Sequence, residues 1–168
     1  MNGRTMSLDR IRSIVITLLG VVLLAGVALN FVNVAMRYFF GSPFPWTEEA
    51  MTFGMILLVM AGTVVATAAN ANLKIDLILQ IAPGRVASAF HIVSNLVWCG
   101  IAIYLAMQSR TVVELMMRFG QKSPAAGVPM WIPHSFVLVG FALCALAALA
   151  AVGREIWKLR HPETQPTP

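Results

Sequence analysis

The stretch NVAMRYFFGSPFPWTEEAM, Asn33–Met51, separates two long runs of uncharged residues. These runs cover residues 13–36 and 50–73, and each exceeds the roughly 20 apolar residues that a helix needs to cross a bilayer. Pro43 and Pro45 lie between them, and the missing N–H and fixed backbone of proline interrupt a helix. The stretch therefore predicts a short connection between two membrane-spanning helices.

The rest of the chain repeats this organisation. Of its 168 residues, 58% are hydrophobic and 11% are charged, whereas about a quarter of the residues in a soluble domain are charged. Two further uncharged runs cover residues 86–109 and 123–153, and the last has prolines at 124, 129 and 133. We therefore predict an all-α integral membrane protein. Its four transmembrane helices cover residues of about 13–36, 48–70, 86–109 and 131–152.

These helices are predicted to form one membrane domain, residues 13–153, between a basic N-terminal segment (1–12) and a tail (154–168). The sequence NANLKIDLILQIAPGR, Asn70–Arg85, joins the second and third helices, and apolar and charged residues alternate in its first half. It matches neither a crossing helix nor an ordinary loop. We expect a short segment that lies in the membrane interface.

The basic residues predict the orientation of the helices, because cytoplasmic loops are enriched in Lys and Arg. Four crossings place both termini on one side, which carries eight of the twelve basic residues. The eight are Arg4, Arg10, Arg12, Lys74, Arg85, Arg154, Lys158 and Arg160, and the other four are Arg37, Arg110, Arg118 and Lys122. We therefore expect both termini in the cytoplasm and Asn33–Met51 on the outer face.

Few residues are suited to catalysis or to cofactor binding. The sequence contains no nucleophile elbow, metalloprotease motif or phosphate-binding glycine loop. His91 and His134 would lie roughly 20 Å apart at 1.5 Å per helical residue, too far to share one haem iron. Cys99 and Cys144 are expected to be small buried hydrophobes. We predict a protein that is not an enzyme, with no cofactor, no metal and, because no basic patch occurs, no nucleic-acid partner.

Every Asp, Glu, Lys and Arg lies at or beyond the ends of the four apolar runs. A carrier of ions or charged solutes usually keeps such a residue near the middle of the bilayer, where it is costly and is retained for a role. We therefore expect that this chain does not carry a charged solute by itself.

Polar residues gather at the connection between the first two helices. Asn30, Asn33 and Arg37 share one side of the first helix. Thr47 is a candidate cap of the second helix, and Glu48 and Glu49 are favoured near its positive end. Adjacent helical positions differ by about 100° in direction, so only one glutamate is expected to pair with Arg37. The other acts either in capping alone or also in a contact with another polypeptide.

Small and polar residues mark the expected packing faces of the helices, because they allow close approach within a membrane. Gly62, Ala66 and Asn70 are spaced by four residues, as are Gly140, Cys144 and Ala148. We predict helix packing at Asn33, Gly62, Asn95 and Gly140, with Asn95 and His91 forming an interhelix hydrogen-bonded pair. A substrate groove lined by the small residues is the alternative. Trp98 is expected to pack against another helix or to face lipid with its N–H bonded internally.

Three stretches together resemble one family. NVAMRYFFGSPFPWTEEAM, ANLKIDL (71–77) and QKSPAAGVPMWIPHSFVLVGFAL (121–143) are similar to the small, DctQ-like membrane subunit of tripartite ATP-independent periplasmic (TRAP) transporters. The resemblance implies four helices, cytoplasmic termini and two partners: a large membrane subunit that carries substrate and sodium, and a periplasmic substrate-binding protein. Arg37, Trp46, Glu48 and Glu49 match the family's outer motif, and Lys74 and Asp76 match its cytoplasmic motif. Asn72 stands where family members often have histidine.

We therefore predict a small permease subunit in the bacterial inner membrane, within a heteromeric complex. It would scaffold the large subunit of a sodium symporter for the uptake of a small organic solute, a carboxylate for example. Arg37, Trp46, Glu48 and Glu49 are the candidate residues of the subunit interface. The alternatives are a stand-alone four-helix channel or carrier that acts as a homo-oligomer, and a membrane enzyme or redox anchor.

Overall fold

Four long helices form nearly all of the part of the chain that the structure, a computed structural model, describes, residues 3–69 and 84–160. They are α1 (Gly3–Phe40), α2 (Trp46–Ala68), α3 (Gly84–Phe119) and α4 (Trp131–Arg160). Each is long and apolar enough to cross a membrane. Within these residues no strand occurs, and one antiparallel bridge joins Lys122 and Pro129. The prediction of an all-α membrane protein with four spanning helices is confirmed.

The helices extend beyond the predicted spans. α1 reaches Phe40 and α3 reaches Phe119, so both helices continue past their apolar runs. Arg110 and Glu114 form an ion pair of 2.8 Å on this extension. α4 begins at Trp131, as the prolines indicated, and Pro133 lies in its first turn, where its missing N–H disrupts no helical hydrogen bond.

Glycines in the left-handed conformation end two of the helices. Gly41 follows α1 with a φ of 66°. Gly120 follows α3 with a φ of 59°, and its N–H donates to Met117 O while that of Gln121 donates to Met116 O, both at 3.3 Å. These two bonds form a Schellman motif, which satisfies carbonyl groups of the last turn.

The chain divides into two compact units, and the divisions fall within α2, α3 and α4. Unit 1 contains Met1–Gly62 and Ser109–Val137, and unit 2 contains Thr63–Gln108 and Leu138–Pro168. The expected interfacial segment, with Asn72, Lys74 and Asp76, lies outside the described residues.

Unit 2 has a core of small residues. Cys99, Ala102, Cys144, Ala145 and Ala148 are buried together, and Val64, Trp98 and Phe141 pack against them. Both cysteines are free thiols that are at most 4% exposed, so their prediction as buried hydrophobes is confirmed. Trp98 Nε1 donates to Thr67 Oγ1 at 3.2 Å, which confirms an internally bonded indole.

The residues of the expected packing faces differ in their surroundings within the described part of the chain. Gly140, Cys144 and Ala148 are all buried, so the small residues of α4 do form a packing face. A Cβ added at Gly62 would meet nothing within 4 Å among the described residues, so no helix in this part of the chain approaches it closely. The prediction of an interhelix pair between Asn95 and His91 is wrong. The Asn95 amide donates to the backbone carbonyl of His91, which belongs to the same helix, at 2.8 Å.

Candidate functional site

The α1–α2 turn, residues 41–45, is fastened by a buried amide. Asn33 is 7% exposed, and its Oδ1 accepts a hydrogen bond from the Phe44 N–H at 2.8 Å. The bond satisfies a backbone donor that the turn leaves outside any helix. Asn33 therefore acts on the turn, which holds the ends of α1 and α2 together.

Arg37 and Glu48 form an ion pair across this turn. Arg37 Nη2 donates to Glu48 Oε1 at 3.3 Å, and the side chains are 55% and 76% exposed. The prediction that one glutamate pairs with Arg37 is confirmed. Such exposed pairs contribute roughly 0.2–1 kcal/mol, so the pair stabilises the turn little and leaves both charges on the surface.

Glu49 is held by the α3–α4 loop, residues 120–130. Its Oε2 accepts hydrogen bonds from Ser123 Oγ and, at 2.8 Å, from the Ala126 N–H. Its Oε1 accepts one from the Ala125 N–H at 2.9 Å. Consecutive backbone N–H groups directed at one anion form an anion-binding concavity. The sequence indicated capping or a contact with another polypeptide for this glutamate, whereas the structure gives it partners in the same chain that are distant in sequence.

The loop is shaped to present those N–H groups. Ser123 N donates to Val128 O at 2.8 Å and Met130 N to Gln121 O at 2.9 Å, so the two sides of the loop pair like a short hairpin. Gly127 closes the tip with a φ of 67°, a conformation that glycine adopts without steric cost. The N–H groups of Ala125 and Ala126 donate to the Glu49 carboxylate.

Thr47 does not cap α2, contrary to the sequence interpretation. The helix begins at Trp46, so Thr47 is already inside its first turn, whereas a capping residue lies outside it. Thr47 is 2% exposed, and its Oγ1 has no hydrogen-bond partner among the described residues. The glutamates do lie in the first turn of α2, where the helix dipole favours negative charge.

Trp46 lies at the surface of the same region. It is 43% exposed, and its ring centroid is 6.1 Å from that of Phe44. Tyr38, Phe39 and Phe40 at the end of α1 are between 73% and 83% exposed. Exposed aromatic side chains at the end of a spanning helix are typical of the membrane–water interface.

The structure thus brings Arg37, Glu48 and Glu49 together, but with different partners. Sequence reasoning missed Ser123, Ala125 and Ala126, which lie 74 to 77 residues from Glu49. The only local signal for them was a loop of small residues with a proline and a glycine, SPAAG, which can expose backbone donors. The hydrogen bonds of Asn33 and Glu49 fix loops. Within the described residues, no group of three His, Cys, Asp or Glu able to hold a metal occurs.

Comparisons with known proteins match most of the chain. The isethionate TRAP transporter permease protein DctMQ of Oleidesulfovibrio alaskensis is 25% identical over 111 residues, which are 66% of this chain and 18% of that protein. A Haemophilus influenzae protein that carries the name of a TRAP transporter small permease protein is 25% identical over 121 residues, 72% of this chain and 70% of that protein.

The sequence profile of the DctQ component of tripartite ATP-independent periplasmic transporters matches residues 26–157. This range includes the α1–α2 turn, the α3–α4 loop, all of α2 and α3, residues 26–40 of α1 and α4 up to residue 157. A family of permeases has a role in transport, not in catalysis. The chain therefore belongs to the DctQ family, the small membrane permease subunits of TRAP transporters.

Proposed function

We propose that the chain scaffolds the large membrane subunit of a sodium-coupled TRAP transporter and does not itself carry the solute. The observation that carries this proposal is the distribution of charge. No Asp, Glu, Lys or Arg lies within residues 50–68 of α2, 86–109 of α3 or 131–153 of α4. A path for a charged solute or a proton relay usually contains such residues, so the transport path belongs to another polypeptide.

The large TRAP membrane subunit is the proposed main partner. One relative is named as a DctMQ permease, and this chain corresponds to only 18% of it. A small-subunit sequence within a much longer permease supports joint action with a larger membrane protein. The exposure of the first two helices agrees with such a partner. In the most apolar part of α1 no residue is buried within the chain, and in that of α2 6% of the residues are buried.

The solute is proposed to be a small organic anion, and the further partner a periplasmic substrate-binding protein. The name of the first relative specifies isethionate, which is a small organic anion like the carboxylates expected from the sequence. Sodium coupling would reside in the large subunit. The chain would lie in the bacterial inner membrane with both termini in the cytoplasm, as the distribution of basic residues indicates.

The proposed interface on the outer face is formed by Arg37, Trp46 and Glu48. These side chains are exposed, and the ion pair between Arg37 and Glu48 is too weak to explain them as stabilising residues. Glu49 would contribute indirectly, by fixing the α3–α4 loop beside them. Lys74 and Asp76 remain candidates on the cytoplasmic side through the family resemblance alone.

The sharpest test of this interface is a charge exchange, Arg37→Glu with Glu48→Arg. The exchange keeps an ion pair within the chain but reverses the charges that a partner would meet. We expect a several-fold loss of solute uptake by the assembled complex in proteoliposomes, with an unchanged amount of this chain in the membrane. The matched control exchanges the other exposed pair, Arg110→Glu with Glu114→Arg, and should leave uptake unchanged.

Normal uptake by the exchanged complex would reject this interface. The scaffold role has a separate test, in which the chain is purified from its native membrane. A larger membrane protein present in stoichiometric amount supports the proposal. Solute uptake by vesicles that contain this chain alone would instead favour the stand-alone channel or carrier.

A further inference from the structure

A polar cavity and an apolar groove lie next to each other between α1 and α2. The polar cavity has a volume of about 260 Å³ and is lined by Asn30, Asn33, Arg37, Thr47 and Glu48, with Val34 and Met51. The groove has a volume of about 380 Å³, and residues within 22–29 of α1 and 50–58 of α2 line it. Met51 lines both, so the cavity and the groove are adjacent.

The polar cavity contains groups that the chain itself does not satisfy. Thr47 is buried, and its hydroxyl has no partner in the described part of the chain. Arg37 donates to Glu48 through one nitrogen, although a guanidinium carries five N–H donors. A buried polar group without a partner is unfavourable, so polar atoms from outside the chain are expected here.

The groove, in contrast, offers only apolar contacts. Every residue that lines it is apolar, and Gly26 and Gly54 are among them. A Cβ added at Gly54 would meet nothing within 4 Å. The groove follows about eight residues of α1, or roughly 12 Å at 1.5 Å per residue, a length suited to part of an extended hydrocarbon chain.

The position of the polar cavity relates it to lipid headgroups. The exposed aromatic residues Tyr38, Phe39, Phe40 and Trp46 occupy the same end of α1 and α2, and aromatic belts of this kind lie at the headgroup level of a membrane. The groove lies nearer to the middle of both spans than the cavity does. A molecule with a polar head and an apolar tail matches the two parts in this order.

The charges in the cavity select the kind of headgroup. Arg37 can donate to a phosphate, while the Glu48 carboxylate can accept from an ammonium group. Because the two side chains together have no net charge, a purely anionic headgroup meets as much repulsion as attraction. A primary ammonium can also donate hydrogen bonds to Glu48, which a quaternary ammonium cannot.

We propose that this seam binds one phospholipid with a phosphate and a primary ammonium in its headgroup, the chemistry of phosphatidylethanolamine. The headgroup lies among Arg37, Glu48 and Thr47, and an acyl chain lies in the groove beside Gly54. This site requires only that the chain spans a membrane, and its existence does not depend on the proposed scaffold function.

Native mass spectrometry of the full-length chain tests this site. Purified protein is titrated with phosphatidylethanolamine, phosphatidylcholine and phosphatidylglycerol of identical acyl chains. We expect one phosphatidylethanolamine to bind with higher affinity than the other two. Arg37→Gln and Glu48→Gln should each weaken its binding about tenfold, as expected for one lost charge-assisted hydrogen bond. Equal binding of all three lipids would overturn the proposal.

The groove is tested separately with Gly54→Leu, whose side chain would fill the space of the acyl chain. We expect loss of the specific phosphatidylethanolamine adduct. The matched control is Gly100→Leu, because an added Cβ also meets nothing there and Gly100 is not part of the groove. Unchanged binding by Gly54→Leu would overturn the proposal.

The remaining occupant to distinguish is a helix of a partner subunit. A photo-crosslinking amino acid at Leu23, which lines the groove, is placed in the complex as purified from its membrane. Crosslinks to phospholipid support the site, and crosslinks to a second polypeptide overturn it.

Discussion

Two regions of the molecule, the connections in unit 1 and the core of unit 2, are each stabilised internally by a different kind of interaction. At the α1–α2 turn and the α3–α4 loop in unit 1, directional hydrogen bonds to Asn33 and Glu49 fix connections that have few apolar contacts of their own. In unit 2, close packing of small residues such as Ala102 and Ala148, both 0% exposed, forms the core. The difference indicates that the helices of unit 2 are ordered by packing, whereas the loops that present the candidate interface are ordered by polar side chains.

The largest effect is expected from overfilling the packed region. Ala148→Leu adds three carbon atoms at a position that is 0% exposed, and such overpacking costs about 1–3 kcal/mol. Thermal unfolding in detergent micelles should therefore occur at a clearly lower temperature. Ala150→Leu, at an exposed position of the same helix, is the control and should unfold like the original chain. If both variants unfold alike, close packing does not stabilise unit 2.

A smaller effect is expected from the hydrogen bond between Trp98 and Thr67, which lies beside that core. Trp98→Phe removes the indole donor and Thr67→Val removes its acceptor, and one hydrogen bond contributes a net 0.5–1.5 kcal/mol or so. A double-mutant cycle on unfolding free energies isolates the pair. We expect a coupling in that range. Strictly additive single effects would mean that the indole is held by packing alone.

The smallest effect on global stability is expected at Glu49. Glu49→Gln removes the charge that three donors of the α3–α4 loop share. Hydrogen exchange of the Ala125 and Ala126 amides should become several-fold faster, while unfolding of the helices changes little, because loops open locally. Glu48→Gln should leave both amides protected. Equal exchange in the two variants would show that the loop does not depend on Glu49.

The sequence was sufficient to predict the helices, because spanning helices depend on the local run of apolar residues. Runs of about 20 apolar residues suffice to predict spanning helices, and the prolines before Trp131 located the start of α4. The partner of Glu48 was also accessible, since Arg37 is 11 residues away across a short turn. Glu49 was not, because its partners depend on how a loop 74 residues away is closed.

Two local interpretations failed for related reasons. Threonine often caps helices, but α2 begins one residue before Thr47, at Trp46. A sequence rarely determines a helix end to a single residue. Gly62 has the spacing of a packing face, but spacing does not tell which side of a helix meets a neighbour, and the space beside it is open. Both outcomes were decided by tertiary structure.

The buried cysteines have a practical consequence for work on this protein. Cys99 and Cys144 are free but at most 4% exposed, and buried thiols of this kind react poorly with reagents in solution. A single cysteine introduced at an exposed position, such as Glu48, could therefore be labelled selectively without replacing either native cysteine. Fluorescent or spin labels at that position would report directly on what approaches the candidate interface during transport.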